Sequence, residues 1–548
     1  MRFAGFTLAL AGIFAGSALG QTPTVGGLLN NYSNTLPGLP NYGIAEGSIF
    51  DIYGTNFTSA AAPAPAPPLQ PTLNGVSISV TVNGAITHPL FYYLGPTQID
   101  ALLPSSTPVG TGTITVTTSA GTSDPFPITV VASDFGLLTT NNGSGPAQGY
   151  DASIDSTNPY ILFGYSEAVN PGDVLELWGT GLGPVTNDAT GVAVSPTAQV
   201  FIGGVAASVQ YAGRSSYPGL DQINVTVPSG VSGCYVSVVV QTGTYLSNFG
   251  TIAVAATGRT CSDSSNPLTG LLTGASKTGT VSLGIIGLTE STTPSIGGLG
   301  GGTSDDAFAG FFKITSSQLN SGASASGGAT ASLNSCVVNF YNATGTTTTP
   351  PGFKFTYLNA GSAININGPD GALSMPLTSI GGVDIYTTPS SAGSFIPASG
   401  GTFTFDNGSG GPDVGAFTAT LNFASPLTWT NMSSTSTITR ANGLKVNWTG
   451  GDANTFVTIS GLSFGLIGSS TTDFVVGEFS CNAPTSAGTF TVPSTVLESM
   501  PASATILGIS TSTLSVSNVT VPATFTATGI DLGLVEASVE NTIYVTYQ

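Results

Sequence analysis

The stretch Glu46-Gly-Ser-Ile-Phe-Asp-Ile-Tyr-Gly-Thr-Asn-Phe57 returns further along the chain as Pro171-Gly-Asp-Val-Leu-Glu-Leu-Trp-Gly-Thr-Gly-Leu182. The common pattern is Gly-x-(Ile/Val)-(Phe/Leu)-(Asp/Glu)-(Ile/Leu)-(Tyr/Trp)-Gly-Thr. Downstream, Thr97-Gln-Ile-Asp100 followed by Pro104-Ser105 matches Asp221-Gln-Ile-Asn224 followed by Pro228-Ser229. The offset is 125 residues at Gly54/Gly179 and 124 at Gln98/Gln222. Two separate blocks holding nearly one register mark a duplicated structural unit.

Each copy reads as β structure. Ile49, Phe50, Ile52 and Tyr53 are strand formers closed by a Gly-Thr turn. Val76-Ser-Ile-Ser-Val-Thr-Val82 alternates apolar and polar residues at the period of a half-buried strand and runs into Asn83-Gly84, a hairpin signal. Thr113–Thr117 alternates again. In the second copy Gln199–Ile202 leads into Gly203-Gly204, and Cys234–Val240 forms a late strand. Short strands with frequent turn signals and no long helical period give an all-β reading, tandem Ig-like sandwiches. The tract Pro63-Ala-Pro-Ala-Pro-Pro68 reads as an extended polyproline loop.

Glu46-Gly-Ser-Ile, Tyr53-Gly-Thr-Asn-Phe57, Val82-Asn-Gly84 and Thr97-Gln-Ile-Asp100 resemble the IPT/TIG-type Ig-like modules. More closely they resemble the Solibacter-type C-terminal region of secreted acidobacterial proteins. Val25–Asn31 and Pro228–Cys234 fit the same pattern, and Cys261 stands where the resemblance places a partner for Cys234. It covers residues 25–265, here at the N-terminal side of the chain rather than at the end of a larger one. It implies a fold and carries over no catalytic residues.

The expected organisation is a signal peptide over 1–20, one TIG-type module over 21–134 and a second over 135–265. A Gly/Ser/Thr-rich boundary or long surface loop over 266–302 then leads to a larger β-sandwich domain over 303–548. Its strands include Cys336–Tyr341, Phe353–Tyr357, Phe403–Phe405, Phe417–Phe423, Leu444–Trp448, Phe456–Ile459 and Thr542–Tyr547, with a short helical turn at Thr495–Met500. One large sandwich and two tightly joined ones both fit, and the half resembles a region of unknown function found beside TIG-like modules.

Composition narrows the functions. Eight Lys+Arg stand against 27 Asp+Glu, a net charge of −19, and charged residues are only 6% of the chain. A nucleic-acid backbone is held by neutralising cations, and an anionic membrane surface attracts them too; both partners are disfavoured. Apolar residues at 40% provide for packed cores. Arg2, the apolar run Phe3–Gly16 and Ala18-Leu19-Gly20 before Gln21 have the form of a secretory signal. A retained anchor is the alternative, but the run is shorter than the ~20 residues that span a bilayer. No integral membrane segment is expected after signal removal. The four cysteines read as disulfides of an exported chain. We expect Cys234–Cys261 and Cys336–Cys481, because each pair lies within one expected domain; free thiols are the alternative.

Candidate sites follow from side-chain chemistry. Paired carboxylates could hydrolyse glycosides without histidine, and the candidates are Asp305-Asp306, Asp370, Asp384, Asp406 and Asp413. Adjacent Asp305 and Asp306 point apart on a strand. The loop Asp406–Asp413 is rich in oxygen ligands and is a candidate for Ca²⁺, with a solvated hairpin as the alternative; no other cofactor is expected. Trp429 and Trp448 are candidates for stacking on sugar rings, against a core role. Tyr92-Tyr93 and Tyr211 occupy equivalent places, with one from each module expected between the sheets. His88 reads as a turn or surface residue. Asp100 and Asn224 read as a turn or strand-end hydrogen bond. The sequence therefore points to a secreted or cell-surface, non-catalytic binding, adhesion or structural protein, with extracellular polysaccharide or protein as partner. The alternatives are a secreted carbohydrate-active hydrolase working from residues 300–548 and a surface-layer or filament subunit.

Overall fold

The computed structural model describes residues 21–153, 161–162, 164, 167–188, 198–263, 279–295, 301–315, 331–342, 355–380, 383–389, 393–423, 427–468, 473–506 and 509–548. The signal expected over 1–20 lies outside them. The fold is all-β. Among the described residues one α-helix is present, Ser494–Ser499, and no helix is long and apolar enough to cross a membrane.

In the first copy two sheets face each other. One is ordered Thr24–Asn30, Ile49–Thr55, Gln98–Leu102, Leu90–Leu94, Ala62–Pro63; the other contains Ile44–Ala45, Phe126–Val131, Gly110–Thr118, Val76–Val82 and Thr72–Leu73. Alternation sends Phe50, Ile52 and Ile99 inward from one layer and Ile78, Val80, Ile114 and Val116 from the other, where they form one core. The Asn83-Gly84 turn has positive φ at both residues, 50° and 80°. This suits the twist of a tight hairpin, and Val82 pairs with Ala85 across it. In the second copy Val205–Arg214 pairs with both Asp221–Thr226 and Gln199–Ile202, so the two layers join into one continuous sheet.

The duplicated sequence blocks are neighbouring strands, and their register is duplicated as well. Asp51 faces Asp100, Ile52 faces Ile99 and Tyr53 faces Gln98. Glu176 faces Asn224, Leu177 faces Ile223 and Trp178 faces Gln222. A bulge recurs on the next strand, between Phe91 and Tyr93 in one copy and between Val209 and Tyr211 in the other. It brings Tyr93 opposite Asp100 and Tyr211 opposite Asn224.

Of the stretch expected as a boundary, 266–302, residues 266–278 and 296–300 lie outside the described residues, and the part between them needs correction. Thr280–Thr293 is a 14-residue strand, antiparallel to Gly302–Thr315 and parallel to Leu532–Tyr544 near the chain's end. Its glycines do structural work rather than marking a loop. Gly284 and Gly287 pair with Phe311 and Phe308, and a Cβ at Gly287 would sit 2.2 Å from the Phe308 ring. Strand glycines often mark such close approach. The sheet built around this strand continues from Ser335–Asn342 at one end to Thr418–Phe423 at the other. It carries two hydrophobic cores, one around Trp448, Phe479 and Tyr547, the other around Phe311, Tyr386, Phe403 and Phe405.

The second module is fused to this sheet. Cys234, Tyr235 and Cys261 pack with Val281, Leu283 and Ile314, while Val239, Leu246 and Phe249 enter the core of Trp448. The Ser237 amide donates to Ser335 Oγ at 3.0 Å. Cys234–Cys261 and Cys336–Cys481 are disulfide-bonded.

Candidate functional site

Residues alternating with the core set stand on the outer face of the duplicated strand pair. In each copy the pairing builds a lateral row across four strands. The first copy reads Leu29, Asp51, Asp100, Tyr93; the second reads Tyr150, Glu176, Asn224, Tyr211. Beside each row lies a second pair, Tyr53 with Gln98 and Trp178 with Gln222.

The same hydrogen bonds recur in both. Gln98 Nε2 donates to Asp100 Oδ1 at 2.8 Å and Gln222 Nε2 to Asn224 Oδ1 at 2.9 Å. Tyr53 Oη donates to Asp51 Oδ2 at 3.2 Å and Trp178 Nε1 to Glu176 Oε1 at 3.1 Å. The Tyr150 and Trp178 rings meet nearly at right angles, 4.7 Å between centroids. Asp100 and Asn224 are therefore mid-strand members of a polar ladder, not strand-end caps.

The two faces differ in charge. Asp51 and Asp100 place two carboxyl groups against each other, and Asp51 is only 3% exposed. Burial pushes the Asp51 carboxyl up to about 7, against the pull of hydrogen bonds from Asn31 and Tyr53 and reinforced by Asp100. Asp100 is raised as well, first by burial. Such a pair holds a proton between its members, because two adjacent carboxylates cannot both ionise cheaply. Burial also raises the Tyr32 hydroxyl to about 12, with Asp221, Asp51 and Asp100 adding to it. In the second copy an amide replaces one carboxyl, and the pair carries a single charge.

The first face is closed at one end by the second module. Between Tyr211 and Gln222 the chain is six residues longer than between Tyr93 and Gln98, and the extra residues form a clasp. Tyr92 Oη donates to the Pro218 carbonyl, and Gly219 rests on Ile49 and Leu102. Thr180 Oγ1 donates to the Gly219 carbonyl at 2.6 Å and accepts from the Ile49 amide at 2.8 Å. Arg214 is buried at the clasp's root. It pairs with Asp221 and donates to the Gly47 and Gly183 carbonyls at 2.8 and 3.1 Å. Asp221 Oδ2 accepts the amides of Gly181 and Leu182. Burial outweighs these partners and lifts its carboxyl to about 6.

The residues nominated from sequence fall elsewhere. Trp429 and Trp448 pair directly across adjacent strands and are 5% and 3% exposed. Their indoles donate to Asn431 Oδ1 and the Thr485 carbonyl. Neither presents a ring to solvent, which corrects the sugar-stacking assignment: the small sheet carrying them lies over the C-terminal core. None of Tyr92, Tyr93 or Tyr211 enters the space between sheets; Phe91 and Ala212 are the buried neighbours. Asp305 is buried, accepting the Phe395 and Ile396 amides at 2.6 and 2.7 Å, while Asp306 faces outward. Asp370 is exposed at a hairpin tip, and Asp384 accepts from Ser379. At the calcium candidate, Asp406 Oδ1 accepts from Asn365 and the Gly408 amide, and Asp413 Oδ2 from the Asn359 amide. The chain's own donors thus engage one oxygen of each carboxylate, and among the described residues no group of three or more His, Cys, Asp or Glu is placed so that it could hold a metal ion. His88 Nδ1 hydrogen-bonds the Ile78 carbonyl at 3.1 Å.

No family model and no curated protein matches the chain. Among solved structures, the plexin A4 extracellular region is 16% identical with a TM-score of 0.16; the alignment covers 41% of this chain and 17% of that one. Domains 5–6 of the S-layer protein SbsC are 15% identical over 43% of this chain and 100% of theirs, with a TM-score of 0.14. A Bacteroides ovatus SGBP-B from a mixed-linkage glucan utilization locus, solved with a heptasaccharide, is 10% identical over 86% of this chain and 98% of its own, with a TM-score of 0.13. This chain spans well under two thirds of the plexin structure. At such scores these likenesses carry no argument about what the chain does.

Proposed function

We propose that the chain is an exported, non-catalytic binding protein of IPT/TIG-type modules on a larger β-sandwich, acting outside the cytoplasm on polysaccharide or protein surfaces. The observation that carries this reading is the duplicated outer face, where an aromatic ring, a carboxylate and two amide or acidic partners recur at matched register in both modules. Two disulfides in one chain support an oxidising compartment. Packing between the second module and the C-terminal sheet supports a stiff body that offers surfaces. The same packing favours a surface-layer or filament subunit as a second reading. A glycan and protein array probed with the mature chain, with turnover measured on every hit, tests the proposal. Binding without turnover is the expected result, and hydrolysis of a bound glycan overturns it. Sedimentation into large assemblies at micromolar concentration supports the subunit reading.

A further inference from the structure

We infer that the outer face of the second module is the ligand site and that it takes a neutral polysaccharide, laid along the row from Tyr150 to Tyr211. The inference rests on the binding reading above and narrows it to one face and one class of ligand.

The internal duplication supplies the comparison. On the first module the row begins with Leu29 and contains the proton-sharing pair Asp51 and Asp100, and the clasp of the second module closes one end of the face. The neighbouring module thus narrows access to that face at Tyr92, Ile49 and Leu102. On the second module the corresponding positions are Tyr150 for Leu29 and Asn224 for Asp100. An aromatic residue replaces an aliphatic one, and an amide replaces a carboxyl. Among the described residues, the side chains of Glu176, Trp178, Gln222 and Asn224 hydrogen-bond only within this set. All four are half-buried, neither sealed in a core nor freely waving.

The chemistry fits a sugar. Pyranose rings present C–H faces that stack on flat aromatic surfaces, and Trp178, Tyr150 and Tyr211 provide such rings. Their hydroxyls both donate and accept, matching amides that do both and a carboxylate that accepts strongly. Four neighbouring strands place Tyr150 and Tyr211 about 14 Å apart at roughly 4.8 Å per strand, enough for a short run of rings with polar groups between aromatic ends. The arginines nearest the row are already paired, Arg214 beside Tyr211 with Asp221 and Arg259 near Tyr150 with Asp151 and Asp173, while the Glu176 carboxyl stands in the row itself. A uronate or sulfated chain would meet repulsion there, which selects a neutral polymer.

Affinity electrophoresis of the full chain through gels containing hydroxyethylcellulose, galactomannan or amylopectin tests this, with polygalacturonate as the acidic comparison. Retardation is expected in at least one neutral gel and not in polygalacturonate. Trp178→Ala should weaken retardation at least tenfold, while Ile86→Ala, on an exposed hairpin strand of the first module away from either face, should change it less than twofold. Gln222→Ala, a short change that leaves the aromatic residues intact, should weaken it at least threefold with an unchanged thermal transition. Retardation that survives both Trp178→Ala and Gln222→Ala overturns the site while leaving polysaccharide binding in place. Stronger retardation by polygalacturonate overturns the ligand class. Failure of the unaltered chain in every neutral gel overturns the inference together with the polysaccharide branch of the function.

Discussion

Asp100→Asn converts the acidic position of the first face into the residue the second copy already carries at Asn224. Gln98 can donate to the new amide oxygen as Gln222 does to Asn224, so the ladder survives. The folded Asp51 carboxyl stands near 7 against an ordinary 3.8, a gap of about three pH units, or on the order of 4 kcal/mol at 1.36 kcal/mol per unit. Burial is the leading cause and remains after the substitution, so only the share due to the facing carboxyl is relieved, about 1–2 kcal/mol. The sign follows from proton counts. Between about pH 4 and 7 the folded pair holds a proton that the unfolded chain has released, so stability falls as pH rises through that window and stays reduced above it. Asp100→Asn should therefore stabilise the first module at pH 8 and do little at pH 4. Thermal unfolding at both pH values should show a rise of about 2–6 °C at pH 8 and a near-zero change at pH 4. The reverse substitution, Asn224→Asp, should destabilise at pH 8. An unchanged midpoint at pH 8, or an equal gain at both pH values, would refute the reasoning.

Three further outcomes follow from the packing. Arg214→Met leaves Asp221 buried without its cation and should cost about 3–5 kcal/mol; the loss should be smaller at pH 5, where the Asp221 carboxyl, already lifted to about 6, takes up a proton. Limited proteolysis at the junction of the two modules reads it. Trp448→Ala should cost about 3–5 kcal/mol in thermal or chemical unfolding as a core truncation, with polysaccharide retardation within twofold of the unaltered chain. Removing Cys336–Cys481, which spans 145 residues, should cost about 5 kcal/mol by loop entropy, against about 3.5 kcal/mol for Cys234–Cys261; denaturant midpoints with and without reductant separate them.

The central strands of both modules are legible in the duplicated blocks alone, because hydrophobic alternation and turn residues are local signals. The same blocks contain the candidate face. Aligning Asp51 with Glu176, Tyr53 with Trp178 and Gln98 with Gln222, then taking the residues that alternate with the core set, locates it. Trp429 and Trp448 give an equally strong local signal, since their strands alternate just as well. Alternation separates two faces of a strand without saying which one a further layer covers, and here a small sheet lies over the C-terminal core and buries both indoles. The clasp is visible in the sequence only as a length difference between Tyr211 and Gln222, with nothing local to say that it reaches the first module. Thr280–Thr293 reads as loop because Gly and Ser favour turns when isolated. Its partner Leu532–Tyr544 lies some 250 positions later, and the aromatic rings that fill the space beside Gly284 and Gly287 come from a separate strand.

The chain has three tryptophans, and Trp429 and Trp448 are buried, so a change of indole emission on ligand addition reports Trp178. Titration of the mature chain with the neutral polysaccharide that retards it should give a saturable blue shift and protection from acrylamide quenching, both lost in Trp178→Phe while binding weakens in parallel. Saturable binding with the Trp178 emission unmoved would contradict the account.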